Sequence, residues 1–200
     1  MIEWSLDDID AVAAALRDGH VVVVPTDTVY GVAAPLDNPT AVAKLFTVKR
    51  RPTTVALPVV LSDFSDLANM AVTVSDRAQR VAAQLWPGAL TLVLPCDPSL
   101  AQRVGGVDTL GVRVPDDDAL RALVRLTGPL AVTSANEHGE PPCTSPDDVH
   151  RAFDGRDEVA GLWNGGLRNG VVSTVVRLGD QSDEVLRSGA IDPAVIAAIR

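Results

Sequence analysis

At 200 residues with 46% apolar and 22% charged content, the chain has the composition of an ordinary globular protein. It is long enough to bury roughly 70% of its unfolded-chain surface. A net charge of −9 excludes indiscriminate adhesion to nucleic acid or membrane, and no stretch approaches the ~20 apolar residues of a membrane span. Two isolated cysteines, Cys96 and Cys143, and three histidines without ligand spacing exclude a disulfide framework and a structural zinc site. With an acidic amino terminus that lacks a signal-peptide apolar core, the expected compartment is the cytoplasm.

Ser5, with Asp8 three residues on, starts a helix that continues through Leu6, Ile9, Val12, Ala13 and Leu16 and stops at Gly19. The chain is therefore expected to begin helix–strand. Val21 to Val24 are four β-branched residues in a row, the pattern of a strand buried on both faces, and Pro25 ends it. The polar turn Thr26-Asp27-Thr28, followed by Tyr30 and Gly31, lies where open α/β sheets place ligands. A helix starting at Asn38 or Thr40 carries Ala41, Val42, Leu45, Phe46 and Val48, delivers Lys49, Arg50 and Arg51 at its end, and is stopped by Pro52.

A buried strand over 57–61 opens irregularly at Pro58, and Ser62 caps a short helix over 64–68. A helix over about 76–85 breaks at Trp86-Pro87-Gly88, and 89–94 is a strand. Residues 95–106 read as loop with some helical character. Strand 110–114 carries Arg113 among apolar neighbours, and helix 116–127 closes at Gly128-Pro129. Strand 130–133 runs into Ser134-Ala135-Asn136, and the turn-rich stretch 137–145 is expected to be mobile. Helix 146–153, strand 159–163, the turn Asn164-Gly165-Gly166 and strand 171–178 follow. Val185-Leu186 lead into Arg187-Ser188-Gly189, and Asp192-Pro193 start the last helix. Interleaved helices and strands without repeat or linker predict one α/β domain over 1–200 with a twisted mixed sheet flanked by helices.

Three strand ends carry small polar groups: Thr26-Asp27-Thr28, Ser134 with Asn136, and Ser173-Thr174. A sheet can bring such ends to one rim, where hydroxyls and backbone N–H groups converge on a ligand. Candidate cations are Lys49 with Arg51, Arg113 and Arg187. The Lys49-Arg50-Arg51 run serves either as a helix end favoured by the dipole or as an anion site. Arg113 needs a buried carboxylate or phosphate partner, supplied by the fold or by a ligand. Neither G-x-x-x-x-G-K-[ST] nor G-x-G-x-x-G occurs, so a nucleotide site here would rely on side-chain cations. The residues alone define an α/β protein with an anion-binding rim and leave its reaction unnamed.

In order along the chain, PTDTVYG (25–31), KRRP (49–52), WPGALTLVL (86–94), GVRVP (111–115), TSAN (133–136), STVV (173–176) and LRSGAI (186–191) resemble the YrdC-like threonylcarbamoyl-AMP synthase family. The resemblance runs nearly end to end, in the short form without an extra carboxyl-terminal domain. It implies a twisted mixed sheet with a basic hollow. It also implies a nucleotidyltransferase that converts L-threonine, bicarbonate or CO2 and ATP to threonylcarbamoyl-AMP and pyrophosphate. The product would pass to separate proteins that modify tRNA. Mg2+ is implied as a companion of ATP, with no protein metal ligands.

Carried over by residue, the resemblance assigns Thr28, Arg113 and Ser173 to threonine. It assigns Lys49 and Arg51 to the phosphates, as the catalytic pair, and Thr109, Ser134, Asn136 and Arg187 to ATP. Four positions depart from the pattern: Val55, His138, Pro142 and Val172 stand where polar residues are usual. They are expected to weaken nucleotide binding, and they leave room for a paralogue making another carbamoyl-adenylate. A further alternative is a double-stranded RNA-binding or ribosome-maturation factor that uses the hollow.

Overall fold

The computed structural model of the chain describes residues 1–49, 55–136, 139–179 and 182–200. Its strands are β1 (Ile2–Trp4), β2 (Val21–Val24), β3 (Gly31–Pro35), β4 (Val59–Val60), β5 (Leu90–Pro95), β6 (Thr109–Arg113), β7 (Leu130–Ser134), β8 (Val159–Trp163), β9 (Thr174–Arg177) and β10 (Glu184–Arg187). The helices are α1 (Ile9–Arg17), α2 (Pro39–Lys49), α3 (Asp76–Leu85), α4 (Pro98–Arg103), α5 (Asp118–Thr127), α6 (Pro146–Phe153) and α7 (Pro193–Ala198). Among the described residues one mixed sheet runs β1-β8-β2-β3-β7-β4-β6-β5-β9-β10.

The four valines of β2 are fully buried and divide by parity, as the two-residue period of a strand requires. Val22 and Val24 pack with α1 and α5 through Val12, Leu16, Leu120 and Leu123. Val21 and Val23 join the larger core on the other face, with Leu45 of α2, Val81 of α3, Phe153 of α6 and Ile196 of α7. The result is a three-layer α/β arrangement, as the interleaved elements predict. No helix among the described residues is long and apolar enough to cross a membrane.

The structure departs from the sequence reading in several places. The chain opens on a strand, because Ile2, Glu3 and Trp4 pair in parallel with β8. Ser5 then leads into a 3-10 turn, Leu6–Asp8, ahead of α1. β3 was not predicted. Its sequence GVAAP has no alternation, and its strand state comes from antiparallel pairing with both β2 and β7. Strand 57–61 contracts to Val59–Val60, yet it is paired on both sides, by β7 and β6. Asp63, not Ser62, caps the following 3-10 turn, its carboxylate accepting from Ser65 N–H at 2.9 Å. Asn38 is the cap of α2, accepting from Ala41 N–H at 3.0 Å. Strand 171–178 is ordered as strand only over Thr174–Arg177.

Candidate active site

A cleft of about 460 Å3 opens where the ends of β2, β6, β7 and β9 meet. Its described lining includes Thr28, Thr109, Ser134 and Ser173, with Arg113, Arg177 and Arg187 as its charged side chains. No carboxylate is among them, although Asp27 pairs with Arg113 at 2.6 Å and Glu184 with Arg177 at 2.8 Å.

The turn after β2 is shaped by one hydroxyl. Thr26 Oγ1 donates to Val29 O at 2.7 Å and accepts the N–H groups of Thr28 and Val29 at 3.1 and 3.2 Å. Its only proton is thereby committed, so the 2.9 Å contact between the two threonine hydroxyls is donated by Thr28. Thr28 Oγ1 also accepts from Arg113 Nη1 at 3.2 Å. What Thr28 retains for a ligand is one acceptor site.

Arg113, at the end of β6, is 8% exposed. Its Nη2 donates to Asp27 Oδ1 at 2.6 Å, and its Nε to Gly88 O at 2.9 Å. Burial pulls the guanidinium below its ordinary pKa, and the adjacent Asp27 charge opposes that. Three of the five N–H donors are used by the protein; the other two belong to a side chain that lines the cleft. Between the two partners left open by the sequence, the fold itself supplies the carboxylate, and the remaining N–H pair can still bind an anion.

Elsewhere on the lining, Arg187 Nη2 donates to Ser173 Oγ at 2.9 Å and Nε to Ser173 O at 3.0 Å. Ser173 Oγ also lies 3.0 Å from Thr91 Oγ1. Leu186 and Arg187 both face the cleft although adjacent strand residues normally alternate. The register of β10 against β9 shifts between Val185 and Arg187, and this bulge re-aims the arginine.

Lys49 is 3% exposed. Its ammonium donates to Ser134 O at 2.7 Å, to Asn136 O at 2.8 Å and to Asn136 Oδ1. Ser134 Oγ donates to the same Oδ1 at 2.7 Å, and Asn136 Nδ2 to Glu140 O at 2.5 Å. This network ties the carboxyl end of α2 to the loop after β7. Further along that loop, Cys143 is buried and its backbone bonds both Ala135 and Tyr30, so 139–145 is anchored there. Burial pushes the Cys143 thiol up to about 11 and so disfavours its thiolate.

A family model described as "Telomere recombination", covering Sua5, YciO and YrdC, matches residues 14–189. The chain belongs to this Sua5/YciO/YrdC family. Threonylcarbamoyl-AMP synthase of Bacillus subtilis is 40% identical over 98% of this chain and 58% of its own. A putative threonylcarbamoyl-AMP synthase of Mycobacterium leprae is 34% identical over 96% of this chain and 87% of its own. The crystal structure of Pyrococcus abyssi Sua5 complexed with L-threonine superposes with TM-score 0.92 at 32% identity, covering 100% of this chain and 61% of the Sua5 chain. The chain thus spans less than two thirds of the Bacillus and Pyrococcus relatives.

Of the family positions assigned from the sequence, Thr28, Arg113, Ser173, Thr109, Ser134 and Arg187 all line the one cleft. Lys49 and Asn136 are not on its described lining and form the buried support of the Ser134 loop. Arg51 lies outside the described residues, as does His138. Val55 and Val172 line the cleft as apolar wall, whereas Pro142 does not reach it. Sequence reasoning missed Asp27 as the partner of Arg113, Thr91 beside Ser173, and Arg177 on the rim. An acid beside Thr28 and a threonine within strand 89–94 were visible signals, but their partners are distant in the chain.

Proposed function

We propose that this chain is a threonylcarbamoyl-AMP synthase acting in the cytoplasm on L-threonine, bicarbonate or CO2, and ATP. The observation that carries this is the cleft's two-part chemistry. One set of groups is the spare arginine N–H donors beside a hydroxyl with one acceptor site; another is Arg187 with the Thr109 and Ser134 hydroxyls, suited to phosphates. The names of the relatives support the same reading. In it, the spare Arg113 N–H pair takes the threonine carboxylate and Thr28 accepts from the amine. Ser173 borders the same substrate.

The ammonium gives one proton to solvent, the free amine attacks the carbon of CO2 as a C=O π pair moves onto oxygen, and loss of a second proton from nitrogen to solvent leaves the carbamate. A carbamate oxygen attacks the α-phosphorus, the bond to the bridging oxygen breaks, and pyrophosphate leaves with that electron pair. Arg187, Thr109, Ser134 and Arg51 are assigned to the nucleotide, and Lys49 with Asn136 hold the Ser134 loop in place. Catalysis is positioning and neutralisation of charge on the phosphates.

Mg2+ would enter with ATP. Among the described residues no group of three or more His, Cys, Asp and Glu gathers, and the cleft lining offers no carboxylate, so the side chains do not fit a resident metal. The adenylate would pass to a tRNA-modifying transfer system.

Duplex RNA is the less suited ligand. The three arginines lie in a recess of small-molecule size, whereas RNA phosphates call for a spread of exposed Lys and Arg. The deciding assay measures pyrophosphate release from ATP, Mg2+ and bicarbonate with and without L-threonine. Strong threonine dependence is expected; release independent of threonine, or none, overturns the reading.

A further inference from the structure

The segment between β8 and Ser173 crosses the outer side of the Thr26–Asp27–Thr28 turn. Three consecutive carbonyls of the turn are taken by three consecutive residues of that segment. Thr26 O accepts from Arg168 Nη1 at 3.3 Å, Asp27 O from Asn169 Nδ2 at 2.8 Å, and Thr28 O from Gly170 N–H at 3.0 Å.

The segment is itself braced. Arg168 Nη1 also contacts Asp117 Oδ2 at 3.2 Å, Nη2 donates to Gly165 O, and the Arg168 N–H donates to Thr144 O at 2.8 Å. Asn169 Oδ1 accepts from Val171 N–H at 2.9 Å, which orients its amide. Tyr30, from the far end of the same turn, donates to Gly166 O at 2.8 Å and accepts from Gly165 N–H at 3.1 Å. Gly170 sits at φ 84°, in the left-handed region, and Ser173 follows three residues later. One short stretch therefore fixes the backbone of Thr28 and leads directly to Ser173, which lines the same cleft.

We propose that residues 168–170 are a strap that sets Thr28 against Ser173, with Arg168 and Asn169 as positioning residues for the amino-acid half of the cleft. This rests on the reading that this half takes L-threonine. A turn whose three carbonyls were left to water would have to be ordered at binding, and the strap removes that cost beforehand. Among the described residues no hydrogen bond from 168–170 reaches Thr109 or Ser134, so the effect belongs to the amino acid and not to the nucleotide.

The test is steady-state pyrophosphate release, varying L-threonine and ATP separately. Asn169→Asp keeps the oxygen that accepts from Val171 and removes the donor to Asp27 O. Asn169→Ala separates loss of the donor from the added charge. Leu167→Ala, at a side chain 80% exposed in the same segment, is the control. Both Asn169 variants are expected to raise the KM for threonine about threefold to tenfold, the size of one hydrogen bond's net contribution. Their KM for ATP should stay near that of the unsubstituted protein, and Leu167→Ala should change neither. An unshifted threonine KM, or parallel rises for both substrates, overturns the strap alone. Absence of threonine-dependent release from the unsubstituted protein overturns the threonine reading, and the strap's role with it.

Discussion

Arg113 Nη2 and Asp27 Oδ1 lie 2.6 Å apart, at side chains only 9% and 12% exposed, and the same guanidinium holds Thr28. Asp27 is thus the carboxylate that permits an arginine to be buried at the end of a strand, and it aims the remaining N–H donors at the cleft. Asp27→Asn keeps an acceptor oxygen but removes the compensating charge. Leaving a buried charge poorly paired is expected to cost about 3 kcal/mol, somewhat less where the amide oxygen still accepts. Urea unfolding should show that loss, and the KM for threonine should rise in the same variant. A variant as stable as the parent would show that Asp27 does not compensate Arg113.

Gly189 carries a second expectation. A Cβ built there would lie 2.3 Å from Val172 O and 2.4 Å from Ser173 C, both backbone atoms that cannot swing away. Gly189→Ala must therefore push apart the segments that hold Ser173 and Arg187 together, at about 1–3 kcal/mol. Thermal unfolding combined with the pyrophosphate assay checks this: a lowered midpoint and weakened ATP and threonine use are expected.

Legibility followed the range of the interactions. The VVVV run announced a strand buried on both faces because that property is written in four adjacent residues. The polar groups of the rim were legible for the same reason. β1 and β3 were not, since β1 is only three residues long and β3 has no alternation, and both become strands through neighbours supplied by the fold. Arg113 could be seen to need a partner, but the choice of Asp27, 86 residues away, is a property of the topology. Lys49 read as a phosphate ligand, while its oxygen partners lie 85 and 87 residues further on, out of reach of any local pattern.

Lys49 and Arg51 of the KRRP segment should therefore fail differently. Lys49→Met keeps the apolar stem and strips the ammonium from Ser134 O, Asn136 O and Asn136 Oδ1. Orphaning buried oxygens is expected to cost about 3 kcal/mol of stability, with ATP affinity falling as the loop loosens. Arg51→Ala is expected to lower turnover ~10²-fold if its charge stabilises the departing pyrophosphate. Unfolding curves and kcat, measured on both variants, separate the roles; a near-normal rate for Arg51→Ala counts against its assignment.

The amino terminus supplies a pH dependence. His150 Nε2 lies 2.8 Å from Glu3 Oε2 and its Nδ1 3.2 Å from Asp154 Oδ1, which fastens β1 to α6. Hydrogen bonds to Glu3 first and Asp154 second raise the imidazole above its ordinary 6.5. Its contribution to stability is then fully present below 6.5 and is lost as the pH rises through the folded-state value. Glu3 is lowered below its ordinary 4.5, chiefly by the Asn164 hydrogen bond and next by His150, so its contribution is present above 4.5 and lost as the pH falls through the folded-state value. β1 is held most firmly between those limits. Because His150 and Glu3 are 31% and 43% exposed, solvent and salt screen much of the effect. Melting curves at about pH 6 and pH 8 should show a small loss of stability at the higher pH. His150→Gln should remove that difference, and so should high salt; a difference that survives the substitution would place the titration elsewhere.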